Sequence, residues 1–174
     1  MKKTDIHLHL TFEQHPKTEH MFVSSAEHML PHLRELSIEK GILMSSGEGN
    51  SAVPFGSNDE CRQIAEAFPG IYFWMCNLDD VPENIFERLE TYKNQGAVGI
   101  GELMINRSID DPMIQEIFAA AETLSLPVLF HMSPEVGYEY GIVDEPGLPM
   151  LEEALEKYPR LKFIGHSQPF WHEI

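Results

Sequence analysis

Cysteine is scarce in this chain. Cys61 and Cys76 are the only two among 174 residues, too few for a disulfide framework and without the paired spacing of a zinc finger. Positive charge is scarce as well. The 12 Lys and Arg are outnumbered by 28 Asp and Glu, giving a formal net charge of −16. That balance excludes a general nucleic-acid binder or a protein drawn to an anionic membrane, because both need a basic patch. It is compatible with a small-molecule substrate held by a metal. No stretch approaches the roughly 20 apolar residues of a membrane span. Met1-Lys2-Lys3 has no apolar run after it, so it is not a secretory signal, and a cytoplasmic location is the expectation. These numbers neither demand nor exclude a homo-oligomer.

The apolar fraction of 43% is ordinary for a globular protein and argues against disorder. The length suits one domain with a sizeable core. No break in composition marks a second domain, so residues 1–174 are read as one.

Apolar patterning alternates between two periods along the chain. Asp5-Ile6-His7-Leu8-His9-Leu10 has the period of two expected of a strand. Residues 11–23 read as a loop containing His15 and His20. Ser24 and Glu27 have capping-box spacing, and Met29, Leu33 and Leu36 recur on one helical face up to a stop at Gly41. Ile42-Leu43-Met44 is a short strand, followed by a loop carrying Gly47-Glu48-Gly49. That loop is no phosphate cradle, since no lysine follows and its glutamate repels phosphate.

Ser57 and Glu60 open a second helix with Cys61, Ile64, Ala65 and Phe68 as its stripe. Ile71 to Cys76 is a continuous apolar strand, as expected when both faces are covered. Asp80 is placed to cap a third helix, with Pro82 in its first turn, Ile85, Leu89 and Tyr92 facing inward, and Gly96 as its stop. Ala97 to Gly101 leads to Glu102. Asp111-Pro112 starts a fourth helix with Ile114, Ile117, Phe118 and Ala121 on one side. Leu126 to Phe130 runs into His131. A long loop over residues 132–147 precedes a helix with Leu151, Ala154, Leu155 and Tyr158 inward, and Leu161 to Gly165 arrives at His166. Six strands and five helices in strict alternation predict an α/β fold with a parallel sheet and helices outside it.

The polar residues fall where such a fold carries its chemistry, at the carboxyl ends of its strands. His7 and His9 project from one face of the first strand, about 7 Å apart along it. Glu102 follows the fourth strand, and His131 and His166 end the fifth and sixth. Histidine and carboxylate together suit a divalent metal: zinc first, with manganese, iron or cobalt also accommodated. Five ligand-type residues at four strand ends are the strongest signal in the chain. Two weaker ones sit beside it. Trp171 and His172, after the sixth strand, are candidates for the substrate wall, and His15 and His20 for its mouth. His28 and His32 share a helix face, but Pro31 lies between them and they read as surface. Cys61 and Cys76 read as buried thiols.

Asp5-Ile6-His7-Leu8-His9, Glu102, His131 and Ile164-Gly165-His166-Ser167, in that order, resemble the amidohydrolase superfamily, and its amidohydrolase-related branch most of all. The resemblance runs over nearly the whole chain. It implies a (β/α)8 barrel of the TIM type and a metal-dependent hydrolase. His7 and His9 would bind the first metal, usually zinc. Glu102 would stand where two-metal members bridge their ions. His131 and His166 would bind a second metal, or, with a single ion, His131 would bind it and His166 would face the substrate. Such a metal polarises a carbonyl or phosphoryl oxygen and lowers the pKa of water from 15.7 to about 7, while a carboxylate moves the proton.

In this superfamily that proton carrier is an aspartate ending the eighth strand, and no residue here matches it. Asp79, Asp80, Asp110, Asp111 and Asp144 all lie elsewhere. A full barrel typically takes about 250 residues, so the chain reads as an incomplete barrel of about six strands. The expected substrate is a small amide, ester or lactone. A nonoxidative decarboxylase, a TatD-like phosphodiesterase and a non-catalytic metal-binding remnant are the alternatives.

Overall fold

Strand and helix alternate as the apolar pattern predicts. The computed structural model describes residues 2–16, 23–49 and 56–166, in two compact units, Met1–Asp79 and Asp80–Ile174. All pairings between its strands are parallel.

The first unit contains β1 (Lys3–Leu8), α1 (Ala26–Glu35), β2 (Ile38–Met44), α2 (Asn58–Ala67) and β3 (Tyr72–Met75). Its sheet runs β1-β2-β3. The central strand is buried at Gly41, Leu43 and Met44, as a strand flanked on both sides should be. β1 is one of the two edge strands of this sheet, and Ile6 stays exposed there although Leu10 beyond it is buried. Ala26, Leu33, Cys61 and Ile64 supply the helical side of the core. Each fully buried aliphatic residue stabilises the fold by about 1.5–3 kcal/mol relative to exposure. The Tyr72 hydroxyl donates to the Ala26 carbonyl at 2.8 Å, tying β3 to the start of α1.

The second unit contains α3 (Ile85–Asn94), β4 (Ile100–Leu103), α4 (Pro112–Leu124), β5 (Val128–Ser133), β6 (Ile142–Val143), α5 (Pro149–Lys157) and β7 (Phe163–His166). β5 is its central strand and pairs with β4, β6 and β7. Ile114, Ile117, Phe118 and Ala121 on α4 are fully buried, as their spacing predicts. Phe118 meets Phe163 and Tyr158 edge to face, at ring-centroid separations of 5.0 and 6.0 Å.

Several local expectations need correction. Ser25, not Ser24, caps α1: its side chain accepts from the His28 N–H at 3.3 Å. The helix ends at Glu35, six residues before the glycine read as its stop, and Leu36 is exposed. Ser37 turns the chain with φ of 60°, and Gly41 lies inside β2. There a Cβ would collide with the Leu8 side chain on β1 and come within 3.2 Å of the Tyr72 ring on β3. The third helix starts at Ile85 after Asn84 in the left-handed region, so Asp80 does not cap it and Pro82 precedes it. Asp80 instead accepts from Arg107 Nε at 2.8 Å. Leu155 on α5 is exposed. The long loop over 132–147 contains β6, a strand of two residues. Ser57 and Asp111 do cap α2 and α4, accepting from the Glu60 and Met113 N–H groups.

These capping assignments separate two adjacent serines. The Ser24 hydroxyl is buried without a hydrogen-bond partner among the described residues. Ser25→Ala is expected to cost about 1 kcal/mol of stability in urea unfolding. Ser24→Ala is expected to be neutral or slightly stabilising, because it removes a buried unsatisfied polar group.

Candidate functional site

In the first unit, β1 delivers His7 and His9 to one side of the chain. The Asp5 carboxylate accepts from the His7 backbone N–H at 3.0 Å, within the stretch of β1 where the register with β2 is irregular. His7 is half-buried and His9 exposed. Their Nε2 atoms lie 3.0 Å apart. A neutral imidazole N–H can donate to its neighbour at that distance. It is also about the separation of two nitrogens bound to one ion at about 2.0–2.1 Å each.

In the second unit, strand register brings three more of the expected residues together. His131 on β5 stands opposite His166 on β7, and Glu102 comes from β4 on the other side of β5. Glu102 is only 4% exposed. Its Oε1 takes both His131 Nδ1 at 2.9 Å and His166 Nε2 at 2.6 Å. The two rings meet nearly at right angles with centroids 5.1 Å apart. A buried carboxylate needs partners in place of water, and two imidazoles supply them here. The cluster therefore combines one carboxylate and two ring nitrogens, a donor set that matches a borderline divalent ion. The residues fit such a group.

Other expected carboxylates are occupied in holding loops. Asp144 accepts from the Met150 and Leu151 N–H groups at the start of α5, at 3.1 and 2.8 Å. Arg107 bridges Asp80 and Asp111. Asp79 and Glu48 exchange hydrogen bonds in the first unit, each side chain accepting the other's backbone N–H, at 2.8 and 3.1 Å. The Gly47-Glu48-Gly49 loop is thereby tied to the end of β3. His15 is exposed, and His28 and His32 form an exposed ring pair on α1. His20, Ser167, Trp171 and His172 lie outside the described residues. Sequence reasoning passed over Asn106 and Tyr140 in the second unit. Their only signal was an aromatic pair, Tyr138 and Tyr140, in the loop after a ligand-type histidine.

The amidohydrolase family model matches residues 4–167. The chain belongs to the amidohydrolase family. No curated protein matches this family member, but solved structures do. A TIM-barrel protein of unassigned role from Bordetella bronchiseptica aligns over 95% of this chain and 66% of its own, with 14% identity and a TM-score of 0.64. A probable 2-pyrone-4,6-dicarboxylic acid hydrolase from Acinetobacter baumannii, with citric acid bound, aligns over 99% and 72%, with 16% identity and a TM-score of 0.55. A 5-carboxyvanillate decarboxylase from Novosphingobium aromaticivorans, with manganese bound, aligns over 94% and 65%, with 14% identity and a TM-score of 0.61. The fold of this amidohydrolase-family chain is thus α/β, part of a TIM-type barrel, and it spans about two thirds of the length of these structures. No helix among the described residues is long and apolar enough to cross a membrane.

Both cysteines are buried, and burial pushes each thiol up to about 12. Folding thus favours the neutral thiol. Its stabilising effect is complete below the unfolded value near 8.5 and is lost as pH rises from there towards 12. At pH 8, iodoacetamide is expected to leave Cys61 and Cys76 unmodified in the folded chain and to alkylate both in urea, as read by mass spectrometry. Rapid labelling of Cys76 without urea would place it at an accessible surface.

Proposed function

We propose that this chain carries the metal-binding part of a metal-dependent hydrolase acting on a small carbonyl compound, an amide, ester or lactone. The observation behind the reading is the buried Glu102 carboxylate with His131 and His166 on one of its oxygens. Family membership adds His7 and His9, whose ring nitrogens converge. In this reading His7, His9, Glu102, His131 and His166 all take part in binding divalent metal. Zinc is the first choice for its affinity for imidazole. Manganese is supported by the decarboxylase likeness.

A divalent ion held there supplies Lewis acidity toward the substrate carbonyl and makes water more acidic. The protein's own residues do the rest. Glu102 accepts a proton on its carboxylate and holds the two imidazoles in place. With a single ion held by His131, His166, whose side chain is 31% exposed against 19% for His131, faces the substrate. Trp171 and His172 are assigned to the substrate wall. We place the protein in the cytoplasm, without nucleic-acid or membrane partners. Nonoxidative decarboxylation is the second reading, favoured by the manganese-containing decarboxylase among the similar structures.

Elemental analysis of the purified chain tests the metal reading. About one or two equivalents of transition metal are expected, falling by at least about tenfold in His7→Ala/His9→Ala and in Glu102→Ala, with circular dichroism confirming that each variant is folded. Folded protein that takes up neither zinc nor manganese would leave only a remnant without metal. With a substrate in hand, release of carbon dioxide separates decarboxylation from hydrolysis.

A further inference from the structure

The segment after β5 is built in an unusual way. Residues 134–140 are all exposed, yet the segment is fastened at several points. The Asn106 side-chain amide donates to the carbonyls of Gly141 at 2.9 Å and Glu135 at 3.3 Å, and its oxygen accepts from the Gly137 N–H at 2.6 Å. The Ser133 hydroxyl donates to the Tyr140 carbonyl, and the Gly141 N–H donates to Met104 at 2.6 Å. Gly141 has φ of 102°, and a Cβ there would come within 2.9 Å of the His131 ring and 2.7 Å of the Ser133 hydroxyl. Only glycine lets the strap pass so close to His131. Two side chains, Asn106 and Ser133, and one glycine therefore hold this exposed segment against the proposed reactive cluster.

The strap presents apolar groups to water at a cost. Val136 is 63% exposed, Tyr138 55% and Tyr140 45%. Three large apolar side chains are thus exposed within five residues of one tethered loop, a local concentration that marks candidate binding surface. The Tyr140 ring lies 4.5 Å from the His131 ring, centroid to centroid, at an interplanar angle of 54°. It thus joins the open patch to an imidazole in contact with Glu102.

We propose that residues 134–141 are a substrate-recognition strap. Tyr140 is its specificity-determining residue, packing the flat apolar portion of the substrate beside the carbonyl that reacts near His131. Asn106 is a positioning residue that acts through the strap. The exposed Glu135 and Glu139 on the same segment disfavour anionic groups at this wall, so the recognised portion is neutral. This inference rests on the reading of Glu102, His131 and His166 as the reactive cluster.

Two neutral amides that differ in one ring test it: benzamide and acetamide, titrated into the zinc-supplemented full chain carrying 13C-labelled tyrosine and followed by NMR. Zinc content is measured in the same samples. Benzamide is expected to bind about five- to tenfold more tightly than acetamide, the range an added aromatic contact supplies, and to shift the Tyr140 ring resonances. Tyr140→Phe should keep that preference. Tyr140→Ala and Asn106→Ala should bring the two affinities within about twofold, with zinc content unchanged. Equal affinities in the wild type, absence of benzamide binding, or an undiminished preference in folded Tyr140→Ala would overturn the strap. A chain without zinc whose Tyr140 still responds to benzamide would retain the strap and remove the metal reading.

Discussion

A carboxylate buried in a strand is the constraint on which the second unit turns. Glu102 lies on β4 with almost no access to water. Removing an ionised carboxylate from water costs several kcal/mol unless other groups replace the lost hydrogen bonds. His131 and His166 do so on one oxygen atom. Three adjacent parallel strands must therefore keep their register, because a slip of one residue turns a side chain to the opposite face. The pairing of His131 with His166 along β5 and β7 and the buried apolar Leu129, Phe130 and Met132 beside His131 on β5 hold that register.

The loops show a division of labour among acidic groups. Asp111 and Asp144 satisfy N–H groups at helix starts, where a negative charge also meets the positive end of the helix dipole. Asp79 and Glu48 hold each other's backbone, and Arg107 gathers Asp80 and Asp111. Their chemistry is spent on the scaffold. Glu102 differs because its partners are imidazoles, which can both bind a metal and move a proton. Family membership points the same way. The manganese and the small-acid chemistry in similar structures belong to those proteins, at 14–16% identity.

Much of this arrangement was legible in the residues. Alternating periodicity located the five helices and the strands carrying His7, His131 and His166, because buried apolar stripes such as Ile114-Ile117-Phe118 leave a strong periodic trace, whereas Glu102, read as following the fourth strand, lies within it. The helix ends were harder to read. Ser24 and Ser25 are chemically alike, and only backbone geometry decides which oxygen reaches the His28 N–H. Gly41 resembles a helix stop in sequence, but Ser37 makes the turn. β6 was invisible because two residues carry no period, and beside its pairing with β5 it bonds to Arg107 and Ile109, more than 30 positions away along the chain. The Asn106 tether was equally hidden, since its three bonds reach residues 29–35 positions on. Local pattern records what a residue buries, and it leaves long-range side-chain bonds unrecorded.

The central claim is that these histidines and Glu102 are metal ligands rather than a self-contained hydrogen-bonded cluster. Zinc K-edge X-ray absorption on the zinc-loaded full chain addresses it most directly. The account predicts a nitrogen and oxygen shell at about 2.0–2.1 Å with the outer-shell scattering of at least two imidazoles, weakened in Glu102→Ala. A shell of oxygen alone, without imidazole scattering, would show zinc resting on the acidic surface and would contradict it.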